Sequence, residues 1–222
     1  MSKLYHFPLS PYCRKVRIVL HEKGIDADLE AEPVWDRREA FLLMNPAGTV
    51  PVFVDDDGTT VCDSAAICEY LEEVYPETRL LGSTPAERAE TRRLVAWFDG
   101  KFAREVTDHL YGEKVMTRFL RTGHPNSAAI RAGKLNVVYH LDYVAWLTER
   151  RNWLAGEHFS LADIAAAAHF STVDFLGDVP WEEAEGAKCW YQRIKSRPSF
   201  RTLLADQVPG LRPPRHYADL DF

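Results

Sequence analysis

The chain has 222 residues, 46% of them hydrophobic and 12% aromatic, which is enough apolar material for two small domains in one compact protein. Its 27 Lys and Arg against 33 Asp and Glu leave a net charge of −6, and residues 1–80 carry −7 of it while residues 81–222 carry +1. Neither half has the basic surplus needed to grip a phosphate backbone, so nucleic acid is excluded as an expected partner, and no apolar run reaches the ~18 residues of a membrane span.

In chain order, Lys3-Leu4-Tyr5-His6-Phe7 alternates as a strand does, Ser10-Pro11-Tyr12-Cys13 interrupts it, and Arg14 to Lys23 carries Val16, Val19 and Leu20 at helical spacing. Residues 27–32 suit a second strand. Residues 37–44 suit a helix with Phe41, Leu42 and Met44 turned inward, closed by the turn Asn45-Pro46-Ala47-Gly48. The bond before Pro51 in Thr49-Val50-Pro51 lies between strands, one of the few settings that tolerate a cis peptide. Val52 to Val54 and Thr60 to Cys62 flank the acidic turn Asp55-Asp56-Asp57-Gly58, and a helix follows from Ser64 to about Tyr75.

Pro, Gly, Ser and Thr then cluster up to Pro85, and almost everything beyond reads as helix. A helix from Pro85 to about Leu110 places Leu94, Val95, Trp97, Phe98, Phe102 and Val106 toward a core and a dimer interface. Another, over 127–149, carries Leu135, Val138, Leu141, Val144 and Leu147. In Ser160-Leu161-Ala162-Asp163-Ile164-Ala165 the Ser at the N-cap and the Asp three residues on form a capping box before an almost wholly apolar helix. Asp163 is therefore a stability residue, and His169 in the same helix reads as a hydrogen-bonded core histidine. After Ser199-Phe200-Arg201 the chain continues into a Pro-rich segment that ends on Phe222.

The order βαβαββα, with the string Asn45-Pro46-Ala47-Gly48-Thr49-Val50-Pro51-Val52 and the pair Asp63-Ser64 opening a helix, resembles the glutathione S-transferase superfamily over nearly the whole chain. The resemblance implies an α/β plus all-α fold, a thioredoxin-like domain followed by an all-helical one. Its divisions would be residues 1–78, a linker 79–85, a helical domain 86–205 and a tail 206–222. It also implies a glutathione site, with the backbone of Val50 before Pro51 bridging the cysteinyl part. Asp63 and Ser64 would hold the γ-glutamyl group, and Arg37 would reach the glycyl carboxylate. Ser64 as a plain helix cap and Arg37 as a solvated charge are the alternatives.

Ser10-Pro11-Tyr12-Cys13 is similar to the Cys-Pro-Tyr-Cys motif of glutaredoxins with its reactive first cysteine replaced, and a serine cannot exchange disulfides. Ser10 reads either as the cap of the first helix or as the donor that stabilises a glutathione thiolate; Tyr12 reads as packing. The four cysteines, Cys13, Cys62, Cys68 and Cys189, show no zinc-like pairing, so no metal is expected, and they need form no disulfide. The N-terminus lacks the apolar run of a signal peptide, so a cytoplasmic protein is expected.

The tail, the start Leu4 to Pro11 and the stretch Glu32 to Arg38 are similar to the branch of this family that binds the division GTPase FtsZ. That likeness implies a homodimeric, non-enzymatic adaptor that binds FtsZ filaments, promotes their curvature and bundling, and regulates constriction at the division site. It also implies that the tail contacts a second division protein. Trp35, Arg212, His216, Tyr217, Asp219, Leu220 and Asp221 are the candidate partner-binding residues, with a tail that packs on its own domain as the alternative. No cofactor is then required. The competing expectation is a transferase that joins glutathione to small electrophiles with Ser10 as the activating residue.

Overall fold

A computed structural model describes residues 1–222. Strand β1 (Ser2–His6) pairs in parallel with β2 (Ala27–Ala31) and antiparallel with β3 (Val52–Val54), which pairs antiparallel with β4 (Thr60–Cys62), giving the order β2-β1-β3-β4. Helices α1 (Pro11–Glu22), α2 (Glu39–Met44) and α3 (Ser64–Val74) complete the first domain. Alternation along β1 buries Ser2, Leu4 and His6 on one face, as a half-buried strand requires. In α2 only Phe41 is buried: Leu42 and Met44 are half-covered, and Leu43 is 80% exposed. One helical turn and a half has too narrow an inward face for the three residues expected there.

The helical domain begins at Thr84, whose hydroxyl and Glu87 form a capping box around Pro85. Helix α4 (Pro85–Ala96) does not stop near Leu110. It runs on with wider, i→i+5 hydrogen bonding through Trp97–Met116 into α5 (Thr117–Leu120). Helix α6 (Ser127–Thr148) packs along it, and α7 (Leu161–Phe175), α8 (Glu185–Lys195) and α9 (Pro198–Leu204) follow. Gly133 is needed at the α6 crossing, because a Cβ there would lie 2.9 Å from His109 and Leu110 side chains. Leu135, grouped by spacing with the inward residues of α6, is instead 75% exposed, while Val137, Leu141, Val144 and Leu147 are fully buried.

Every residue of α7 is buried, which its run of alanines permits by letting neighbouring helices approach closely. At its start Asp163 accepts from Leu154 N, Trp190 Nε1, Ser160 N and Ser160 Oγ at 3.0–3.1 Å. Burial raises its carboxyl pKa, against these four donors. His169 is indeed a hydrogen-bonded core residue, with Thr107 Oγ1 at 2.8 Å and Asp99 Oδ1 at 3.3 Å.

One contiguous core runs from Leu4, Phe53 and Ile67 of the sheet domain to Phe98, Phe170 and Trp190 of the helical one. The two domains are also tied by charge, through α1. Arg14, Lys15 and Arg17, which look solvent-facing by residue type, are all buried. Arg14 donates to Pro8 O, Ser171 Oγ and Asp206; Arg17 donates to the same Asp206 oxygen at 2.9 Å; Lys15 pairs with Asp99. At the far end of α1, Glu22 takes both arms of Arg197 at 2.7 Å. Buried cations need counter-charges or hydrogen-bond acceptors, and these three have both or one of them at hand.

Candidate functional site

The strand register assembles the site. Val52 is opposite Tyr5 on one side and Cys62 on the other, and His6 is opposite Ala31. The segments just beyond these residues therefore gather at one edge of the sheet: Phe7 to Ser10, Val50-Pro51, Asp63-Ser64, and the 3₁₀ turn Val34–Asp36 with Trp35. The bond Val50-Pro51 is cis. Neither the N–H nor the C=O of Val50 has a hydrogen-bond partner within the chain, so both can bridge an extended ligand.

Asp63, not Ser64, caps α3. It holds φ +75° and accepts from Ala65 N at 2.7 Å and Ala66 N at 3.4 Å. Its own carboxylate thus occupies two of the amides that a ligand carboxylate would use at this helix start. Asp63 is exposed and Ser64 buried. Arg37, exposed and with φ +46°, lays its guanidinium over Gly48, Nη1 3.5 Å from where a Cβ would stand, beside the loop that leads to Val50. The sheet edge therefore carries the free backbone groups of Val50, the Asp63 carboxylate and the Arg37 guanidinium.

Ser10 is the N-cap of α1, with its Oγ accepting from Cys13 N at 3.4 Å, and is only 6% exposed. Cys13 lies fully buried beneath it, its Sγ accepting from Phe7 N, and burial pushes its thiol up to about 11. A thiol so desolvated is not a thiolate near neutrality. Tyr12 packs edge-on to His169, and its hydroxyl donates to Asp99 O across the domain boundary. Its pKa, pushed up to about 12 by burial and then by Asp99, keeps it protonated.

Beside Val50, an aromatic cluster joins the two domains. Trp35 stacks on Phe119 with centroids 4.6 Å apart and planes 17° from parallel, and Phe7 stands edge-on to both. Val50, Tyr111 and Met116 pack around the same cluster. The sequence reading passed over Phe119 and took Phe7 only as the end of the first strand, since only the folded chain brings them against Trp35. Trp35, half-buried, is part of this clasp as well as part of the surface.

The tail lies folded on the helical domain. Tyr217, expected among the partner-binding residues, has no exposed surface: it packs edge-on to Phe175, beneath Arg14, and its hydroxyl donates to Leu203 O. It anchors the tail and has no surface to offer a partner. His216 Nε2 lies 3.0 Å from the buried Asp174 Oδ1, with its backbone O accepting from Lys195. Arg212, Asp219 and Asp221 are exposed and Leu220 half-exposed.

Family models for the glutathione S-transferase N-terminal and C-terminal domains match residues 4–79 and 132–198. The FtsZ-localized protein A of Caulobacter vibrioides (strain NA1000 / CB15N) is 48% identical over 222 residues, spanning 99% of this chain and 97% of that protein. A solved glutathione S-transferase from Rhodospirillum rubrum F11 is 58% identical, with a TM-score of 0.98 and both chains covered in full. The structure of FzlA from C. crescentus is 47% identical, with a TM-score of 0.96, over 100% of this chain and 99% of that one. With its four-stranded mixed sheet, its cis Val50-Pro51 at the sheet edge and its buried Ser160–Asp163 capping box, the chain belongs to the glutathione S-transferase family.

Proposed function

We propose that this chain is a glutathione-transferase-like adaptor of the cell-division machinery that binds FtsZ filaments. The observation that carries the reading is its full-length, 48% identity to a protein named for its localisation to FtsZ, a likeness that extends through the tail. The half-buried Trp35, stacked on Phe119 with Phe7 edge-on to both, supports it as an aromatic patch at the domain boundary suited to a protein contact.

In this reading a homodimer offers two copies of one surface, so it bridges and curves filaments with an avidity above that of a single site. Trp35 and the tail residues Arg212, His216, Asp219, Leu220 and Asp221 carry recognition, and the tail reaches a second division protein. Recruitment to the division site follows from filament binding. The test is co-sedimentation with GTP-assembled FtsZ of the intact chain, of Trp35→Ala, and of a chain with Asp219 and Asp221 changed to Lys. The intact chain pellets with filaments and at least one variant does not; an intact chain that stays in the supernatant refutes the reading.

A second reading, glutathione transfer, is favoured by the unpaired backbone of Val50 beside Arg37, Asp63 and Ser64. Calorimetric titration with glutathione tests it, and turnover that survives Ser10→Ala unchanged would remove Ser10 from the chemistry.

A further inference from the structure

Strand β2 ends the sheet, hydrogen-bonded to β1 on one side and to no strand on the other. His6 is opposite Ala31, and Glu32 N donates to His6 O at 2.9 Å. In a parallel ladder that register turns the N–H groups of Asp28, Glu30 and Glu32 toward β1, and so turns both the N–H and the C=O of Ala27, Leu29 and Ala31 outward. None of these outward groups has a partner elsewhere in the backbone. An open edge is a template for another strand unless it is bent, covered or broken by proline, and β2 runs in unbroken register without one.

The two faces of this edge differ. On one, Leu29 is 49% exposed and joins Ala27, Leu20 and Ile25 around a cavity of about 240 Å³, which His21 and Thr202 also line; Arg17, at the same cavity, is held by Asp206. On the other face Lys3 is opposite Asp28 but pairs with Glu30 at 2.9 Å. That leaves Asp28 and, just before the strand, Asp26 exposed without an ion pair. These acids work against a second copy of the same edge, which would set Asp28 against Glu30, and they favour a basic partner. The field around them has the same sign, since residues 1–80 carry −7.

We propose that the outer edge of β2 is a docking site for an extended segment of another protein that alternates apolar and basic residues. The segment adds to the sheet as a further strand. Its main chain takes up the outward N–H and C=O groups of Ala27, Leu29 and Ala31, an apolar side chain enters the cavity beside Leu29, and Lys or Arg on the opposite face meets Asp28. Backbone pairing supplies the affinity, and the cavity and the acids supply the selectivity. The site does not depend on whether FtsZ is the filament partner.

A fluorescein-labelled Lys-Val-Arg-Val-Lys-Val-Lys peptide is the probe, read by anisotropy on the intact chain. Beside it run Lys-Lys-Val-Val-Val-Arg-Lys, of the same composition without alternation, and the acidic Glu-Val-Glu-Val-Glu-Val-Glu. The alternating basic peptide binds at least about tenfold more tightly than either. Asp28→Lys, which touches no ladder bond, weakens it at least about fivefold. Leu29→Pro, which removes an outward N–H and the side chain at the cavity, weakens it further; if that variant melts early, Asp28→Lys decides. Hydrogen exchange followed by NMR locates the contact, with the amides of Ala27, Leu29 and Ala31 slowed about tenfold or more in the complex. Equal binding of the two basic peptides would mean charge attraction alone and overturns the proposal. So does the absence of binding, binding that Asp28→Lys leaves unchanged, or protection that falls on β4, the opposite edge of the sheet, instead.

Discussion

Asp206 is the single carboxylate that serves both Arg14 and Arg17, at 3.3 and 2.9 Å, with its side chain only 10% exposed and the two guanidinium side chains at 0% and 7%. Asp206→Ala leaves both cations inside the domain boundary without a counter-charge. Breaking one side of a buried pair costs about 3–5 kcal/mol. Arg14 keeps Pro8 O and Ser171 Oγ, so the lower end applies, about 3 kcal/mol. For a chain of this size that lowers Tm by roughly 6–12 °C. Scanning calorimetry at neutral pH is the assay, run at about 0.05 and about 0.5 M salt, and the loss persists in both because a buried pair is poorly screened. Replacing the triad with apolar residues (Arg14→Met, Arg17→Met, Asp206→Leu) recovers much of the loss, since no charge is then left unpaired. A change in Tm below about 2 °C for Asp206→Ala would refute the claim that this contact latches the two domains.

Asp163→Ala strands the buried N–H groups of Leu154, Ser160 and Trp190; at about 1–3 kcal/mol for each lost partner, chemical denaturation should register a loss of at least ~3 kcal/mol, well above that of an exposed cap. His140 is lowered to about 4, first by burial; its Nδ1 faces the Trp97 N–H and its Nε2 faces Glu105, so a second proton would set two donors against each other. His6 is lowered to about 4 by burial and by Arg17. In both the unfolded chain takes the proton first, so stability is complete above about pH 6.5 and falls toward pH 4, by about 3 kcal/mol per histidine. Urea midpoints across that range check this, and His140→Gln should flatten roughly half of the slope. Iodoacetamide at mildly alkaline pH should alkylate the exposed Cys189 while Cys13 and Cys68, both buried and pushed up to about 11 and about 12, stay unlabelled in mass spectra; rapid labelling of Cys13 would contradict its burial. Phe119→Ala should loosen the clasp, with a loss of about 1–2 kcal/mol for this half-buried ring and a rise in Trp35 fluorescence accessibility to quencher.

What could be read from residues alone was what local chemistry decides. The strand alternation of Leu4 and His6, the helical spacing of Val16, Val19 and Leu20, the turn at Asn45 to Gly48 and the capping box at Ser160 and Asp163 each act within a few residues of themselves. The sheet-edge site was legible for the same reason, because Ser10, Val50-Pro51 and Asp63 stand at element ends that the βαβαββα order brings to one edge. Tertiary structure decided the rest. Arg14, Lys15 and Arg17 are buried because Asp99 and Asp206 arrive from 84 to 192 residues away, and nothing in α1 announces those partners. Leu135 is exposed and Val137 buried on the same helix because the neighbour packed along α6, not the spacing of its apolar residues, selects the covered face. Tyr217 looked like a contact residue in a polar tail, yet Phe175 and Arg14 enclose it, since a ring is buried wherever distant elements together leave a hollow of its size.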